Sequence, residues 1–224
     1  MKTAQKRTEN TRKMGHSSAH RLLPIGIGLL VIVIVAIVIF SWGNIFPAPE
    51  TTVSFDFDNG YPLLAETQNT PLNQTVSGIT AHFSSPSDTV TAPAFSIQSY
   101  DTTFTKLSQF SGKYLYDNKP SRDTLEIEFS QQLESVTFTF ATVEYGTDPS
   151  DIKLTAFLGS NDMSPVGSTT ASGTYETGLY PQGVLSFNSV GKPFNLLRIE
   201  IPFQGAGSPT NFYVDNIIVR LPHF

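Results

Sequence analysis

The run from Leu22 to Phe40, LLPIGIGLLVIVIVAIVIF, contains no charged or strongly polar side chain, and it constrains the chain more than any other stretch. As a helix rising about 1.5 Å per residue it would extend about 28 Å, close to the hydrocarbon thickness of a bilayer. A cleavable signal has a shorter apolar region and a cleaner small-residue cut site than Ser41, Trp42 and Gly43 provide. We therefore read residues 22–42 as an uncleaved transmembrane anchor, with Trp42 placed at the interfacial aromatic belt.

The anchor divides the chain into a short basic head and a large body. In residues 1–21, Lys2, Lys6, Arg7, Arg12, Lys13 and Arg21 against Glu9 give a net +5, so the remainder must carry −10 to reach the chain's −5. Basic residues beside a membrane segment are retained on the cytoplasmic side. The expectation is a single-pass plasma-membrane protein with its N-terminus cytoplasmic and its C-terminal domain extracytoplasmic. The head itself, rich in Lys, Arg, Ser, Thr and Asn, is expected to be disordered. Residues 43–52, with Pro47 and Pro49, read as a short stiff linker. An acidic body without a basic run is a poor partner for nucleic acid, whose binding relies on Lys and Arg at the phosphates. The chain has no cysteine, so it holds neither disulfides nor thiolate zinc sites.

From residue 53 to 224 the pattern has period two, which describes strands with one buried and one wet face. In TLEIEFS, Leu125, Ile127 and Phe129 alternate with Thr124, Glu126 and Glu128; SVTFTFA, DIKLTAFLG and LLRIEIPF repeat the pattern. VSFDF, SGITAHF, AFSIQS, GVLSFNS and NFYVDNIIVRL are further expected strands. TDPSD, GSND, GTYETGLYPQG, SVGKP and QGAGSPTN supply the residues that turns require. Eight or nine strands so punctuated predict an all-β antiparallel sandwich, with a jelly roll as the favoured version.

Two groups of residues stand out for chemistry. In FDFDNG, Phe55 and Phe57 should face the core, leaving Asp56 and Asp58 at the entry to a turn made by Asn59 and Gly60. Such oxygens suit a hard cation such as calcium, provided that others converge on them. Asp215 is the candidate partner. It interrupts the apolar strand FYVDNIIV, and a bulge there would let Val214 and Ile217 both face inward. The alternative is that Asp56 and Asp58 are solvated and that backbone N–H groups satisfy Asp215.

For a sugar, the requirement is an aromatic face beside hydrogen-bonding groups. Tyr61, Tyr100, Tyr114, Tyr116, Tyr145, Tyr175 and Tyr180 are candidates, and Tyr114, Tyr116 and Asp117 in the loop-like SGKYLYDNKPSRD form the best-placed ligand-binding set. The competing reading of these tyrosines is burial with bonded hydroxyls.

The early strand carrying Phe-Asp and the last strand FYVDNIIV together resemble the two ends of galactose-binding-like jelly rolls, which include many carbohydrate-binding modules. That resemblance implies a structural calcium remote from the sugar, touching Asp56 or Asp58 and Asp215. The middle stretch DIKLTAFLGSNDMSPVGSTTASG resembles exported bacterial β-sandwich proteins, including those of the PEP-CTERM sorted class, from which this chain departs by ending in LPHF.

No phosphate loop, nucleophile elbow or histidine-rich metal spacing is present. The functional expectation is a non-catalytic, surface-anchored binding or adhesion module for an extracellular glycan or surface protein. Two alternatives stay open. One is a small hydrolase using Glu126, Glu128, Glu144 or Glu200, or built on His82. The other is a self-associating structural envelope protein. Asn73-Gln74-Thr75 satisfies the N-glycosylation sequon on a segment expected to be a loop.

Overall fold

A computed structural model describes residues 51–89, 91–100, 106–118, 123–145, 147–159, 164–202 and 211–222. All of them lie within the compact unit Glu50–Phe224. The head, the anchor at 22–42 and all but the last two residues of the linker lie outside the described residues. Among the described residues no helix is long and apolar enough to cross a membrane.

The described body is an all-β antiparallel sandwich of two sheets. Its strands are β1 (Thr52–Phe55), β2 (Leu72–Val76), β3 (Ile79–Ser84), β4 (Phe95–Ser99), β5 (Lys113–Asp117), β6 (Leu125–Leu133), β7 (Ser135–Thr142), β8 (Asp151–Phe157), β9 (Pro165–Ser172), β10 (Gln182–Asn188), β11 (Phe194–Glu200) and β12 (Phe212–Arg220). One sheet runs β2-β3-β6-β11-β8-β9. The other runs β10-β7-β12-β5-β4, with β1 also paired to β12.

The alternation read from the sequence is what closes the sandwich. Leu125, Ile127 and Phe129 of β6 and Ile199 of β11 face Val136, Phe138 and Phe140 of β7 across one buried core. Phe55 meets Phe129 with ring centroids 5.8 Å apart, and Phe95 meets Phe212 at 5.5 Å, both edge to face. The opposite positions stay wetter: Glu126 and Arg198, directly opposite each other on β6 and β11, pair at 2.7 Å.

Among the described residues there are twelve strands where the sequence suggested eight or nine. The additions are β2, β5 and β9, and each is short of apolar residues. β9, PVGSTTAS, buries no residue fully and is held at its sheet's edge by β8. β2, LNQTV, buries only Leu72 and Gln74. Two boundaries also move: Thr52 belongs to β1 rather than to the linker, and Asn73 lies in strand β2 rather than in a loop.

The feature that positions the site is the length of β12. Its first half pairs with β5 (Tyr213 opposite Tyr116, Val214 opposite Leu115), and its second half pairs with β1 (Ile217 opposite Phe55 through Arg220 opposite Thr52). On its other flank β7 runs alongside throughout, with one register shift between Asp215 and Ile218. The strand therefore changes neighbours at Asp215-Asn216. The bulge predicted there is present, with Asn216 at φ 50° and both Val214 and Ile217 buried.

Candidate functional site

Asp56, Asp58 and Asp215 all lie near this handover, Asp215 bonding Ser111 and Asp58 bonding Lys113, but they do not converge into one ligand group. β1 ends at Phe55, two residues earlier than the alternation suggested, because Asp56 folds the chain back on itself. Its Oδ1 accepts from the backbone N–H groups of Asp58 (3.2 Å) and Asn59 (3.0 Å), and its Oδ2 accepts from Asn59 Nδ2 (2.6 Å). Phe57 takes φ 61° in this turn and still buries its ring completely, 5.4 Å from that of Phe83. Asp58 then reaches to the start of β5, where Oδ2 accepts from Lys113 N–H at 3.0 Å and Lys113 Nζ lies 3.9 Å from Oδ1. The approach requires Gly112: at its φ of 61°, a Cβ would lie 1.8 Å from Asp58 Oδ2.

Asp215 is fully buried. Its Oδ1 accepts from Asn216 N–H (2.7 Å), and its Oδ2 accepts from Ser111 N–H (3.2 Å) and Asn216 Nδ2 (3.3 Å). Burial pushes its carboxyl up to about 7; the two backbone donors oppose that rise, and the charges of Asp58 and Asp56 add to it. Nearby, the fully buried Gln74 donates its Nε2 to Asn59 O, while its Oε1 meets no donor among the described residues. The donor set is entirely oxygen, which suits a hard cation. Among the described residues, however, no three His, Cys, Asp or Glu side chains are grouped closely enough to hold a metal by themselves. Carbonyl or amide oxygens would have to complete any such site.

Tyr213 precedes Asp215 by two residues and so shares its face of β12, the outer face of the sheet. Directly across from it on β5 stands Tyr116, with Tyr114 two residues away on the same face. Tyr116 and Tyr213 stack at 4.8 Å with 19° between their planes, and Tyr114 and Tyr180 close on Tyr213 at 5.7 and 6.1 Å. With Gln98, Val143 and Asn211 these four rings line a cleft of about 560 Å³. Tyr213, Tyr114 and Tyr180 are buried, whereas Tyr116 is half-exposed. Burial and the neighbouring phenols push Tyr114 up to about 12 and hold Tyr180 and Tyr213 well above the usual phenol range. The hydroxyls therefore meet in the cleft as neutral groups that donate and accept.

The residues before β5 form the wall behind these rings. Phe110 packs edge-on to Tyr114 at 5.6 Å, and Leu107 is fully buried in the same cluster. That wall is tied down at Gln109 N–H by Gln182 Oε1 (3.0 Å), at Ser111 by Asp215 and at Lys113 by Asp58. The acidic junction thus fixes the backbone that buttresses the cleft. At the rim, Lys106 lies 4.2 Å from the centre of the exposed Tyr145 ring and donates to its hydroxyl, which lowers that phenol's pKa, and Tyr145 OH in turn bonds Tyr180 OH at 3.4 Å.

Of the ligand-binding set expected from sequence, Tyr114 and Tyr116 line the cleft together. Asp117 does not. β5 is a strand, so Asp117 shares the inward face of Leu115 and is fully buried, with its carbonyl accepting from Asn211 Nδ2 at 3.1 Å. Tyr213 was overlooked as a platform residue because it sits in an apolar strand; its signal was the two-residue offset from Asp215. Gln98 and Asn211 carry no signal of their own in the sequence.

Three of the four carboxylates considered for hydrolysis have partners of their own, and the fourth, Glu128, stands opposite His82 in the register of β6 and β3. Glu126 pairs with Arg198, Glu200 with Lys153 at 3.3 Å, and Glu144 accepts from Thr142 Oγ1 and Ser150 N–H, both at 2.8 Å. His82 Nδ1 bonds Asn73 Oδ1 at 2.6 Å across β2 and β3.

No family model matches the sequence, and no curated protein matches it. Among solved structures, the chain is similar to a cleaved adhesin domain of Lys-gingipain from Porphyromonas gingivalis, at 11% identity over 77% of this chain and 99% of that one, with a TM-score of 0.45. It is also similar to the module TmCBM61 solved with β-1,4-galactotriose (11%, 74% and 99%, TM-score 0.38). A third is a family 35 carbohydrate-binding module from Clostridium thermocellum (14%, 68% and 99%, TM-score 0.32).

Proposed function

We propose that this protein is a membrane-anchored, extracytoplasmic binding module of jelly-roll type that holds a carbohydrate at the tyrosine cleft. The observation that carries the reading is the cleft itself. A half-exposed Tyr116 ring is backed by the stacked ring of Tyr213, beside neutral phenol hydroxyls and the amides of Gln98 and Asn211. A sugar ring offers C–H faces and hydroxyl edges, and this lining meets both kinds of surface. The basic head, the apolar run and the acidic body support the outward placement of the domain.

A calcium ion between Asp56, Asp58 and Asp215 is part of the same proposal. A divalent cation would offset the desolvation of the buried Asp215 carboxylate and its repulsion by Asp58 and Asp56, with carbonyl or amide oxygens completing the oxygen shell. Its role would be to fix residues 111–113, and through them the wall of the cleft, rather than to touch the sugar.

The test is affinity electrophoresis of the full-length chain through gels containing neutral or acidic soluble polysaccharides, in a detergent without a sugar headgroup and with calcium present. Retardation by at least one polysaccharide that disappears in Tyr116→Ala supports the reading. Unaltered mobility in every gel, or retardation that survives in Tyr116→Ala, overturns it.

A further inference from the structure

The tyrosine cleft continues beyond β4. Gln98, on its rim, also lines a second groove of about 560 Å³ with Thr67, Asn69, Pro93, Ser96 and Asn118. The strand registers make the two grooves one row. Tyr213 stands opposite Tyr116, Tyr116 opposite Ser96, and Ser96 opposite Asn69. Residues so paired present their side chains on one face of a sheet. Asn69 belongs to a segment that continues the sheet past β4: Thr67 N–H donates to Ile97 O (2.7 Å), Ile97 N–H to Gln68 O (2.9 Å) and Thr70 N–H to Phe95 O (3.0 Å). Three inter-strand steps of about 4.8 Å make the row about 14 Å long. That exceeds one sugar ring.

The chemistry changes along the row while its charge stays at zero. At the β12–β5 end the lining is aromatic. From β4 outward it is amide and hydroxyl, held in a fixed order: Gln98 Nε2 donates to Ser96 Oγ (3.1 Å), Ser96 Oγ donates to Asn118 Oδ1 (2.8 Å), and Asn118 Nδ2 donates to Pro93 O (3.5 Å). This relay commits the Ser96 proton and leaves Gln98 its Oε1 and a second N–H, an acceptor and a donor side by side. A sugar hydroxyl, which both donates and accepts, matches that pair. Among the described residues, those that line the two grooves carry no charge, and Lys106 at the cleft's rim is already engaged with the Tyr145 hydroxyl, so the lining suits an uncharged ligand.

Building on the reading of the tyrosine cleft as a carbohydrate site, we propose that cleft and groove form a single track for a linear, uncharged polysaccharide. The chain stacks at Tyr116 and is hydrogen-bonded by Gln98 and Asn69 further along.

The experiment uses size-graded neutral oligosaccharides of one to six units (gluco-, manno-, xylo- and galacto-series) and oligogalacturonate of matching length, titrated calorimetrically into the full-length chain in the same detergent. Parent, Tyr116→Ala and the double variant of Gln98→Ala with Asn69→Ala are compared. For at least one neutral series, affinity should rise with length up to about three or four units, the span of the row. The double variant should lose about tenfold for the long members and nothing for the shortest that bind. Oligogalacturonate should not bind. Binding that depends on Tyr116 but ignores both chain length and the double variant would overturn the track and leave the cleft reading standing. Preferential binding of oligogalacturonate would overturn the uncharged ligand. No binding of any series would overturn both readings.

Discussion

Asp215→Asn should remove the pH dependence contributed by the acidic junction. In chelator, the parent carboxyl loses its proton near pH 7 when folded but near 3.8 when unfolded. Between those values the unfolded state binds fewer protons, so stability falls as pH rises, by about 1.4 kcal/mol per unit and about 4 kcal/mol in all. The contribution is complete below pH 4, is lost through the folded value, and is flat above it. The amide does not titrate, so the substitution removes this slope. It also replaces one of two oxygens that accept from Ser111 and Asn216 N–H, at a cost of about 1–2 kcal/mol. In chelator the variant should therefore be less stable than the parent at pH 4.5 and more stable, by about 2 kcal/mol, at pH 8. Urea unfolding of both proteins across that range, taken as a difference curve, cancels every other carboxylate. Parallel curves would refute the reasoning, because Asp215 would then titrate as a solvated group. Calcium should erase the crossing by stabilising the parent at pH 8 and leaving the variant unchanged.

Other outcomes follow from named contacts. Millimolar calcium should raise the parent's unfolding temperature by several degrees at pH 8 and have no effect on Asp215→Ala, as read by scanning calorimetry. Gly112→Ala should cost about 2 kcal/mol or more, since its Cβ would meet the Asp58 carboxylate at 1.8 Å from a positive φ; a stability equal to the parent's in chemical denaturation would mean that the junction is looser than described. In an alkaline absorbance titration, Tyr145 should ionise first and Tyr114, Tyr180 and Tyr213 only far above pH 10; Tyr145→Phe should delete the earliest phase, and a titration without separate phases would argue against the buried cluster. Glu126→Gln should change stability by no more than about 1 kcal/mol, because its pair with Arg198 is part-exposed, and should leave glycan retardation untouched.

How far the site could be read from the chain varied with what held each part. The bulge at Asp215 was legible because an Asp between Val214 and Asn216 breaks an apolar alternation that must resume at Ile217 to keep the core filled. Tyr114 and Tyr116, aromatic residues two apart in a polar segment, were legible as members of one ligand-binding set. Asp117 was misplaced because β5 reads as a loop: KYLYD has only Leu115 as an aliphatic anchor, and pairing with β4 and β12 supplies what propensity does not. β9 escaped notice for the same reason, being a Ser/Thr strand stabilised by ladder bonds to β8.

By itself, then, the sequence determined the strand class, the inward phenylalanines and leucines, the punctuation between strands and the charge asymmetry about the apolar run. These are local, since side-chain alternation and turn residues act within a few positions. The tertiary structure decided which faces meet. Bringing Asp58, Ser111 and Asp215 to one point, or Asn69, Ser96, Tyr116 and Tyr213 into one row, depends on the register of strands far apart in the chain, and register is set by burial across both sheets at once.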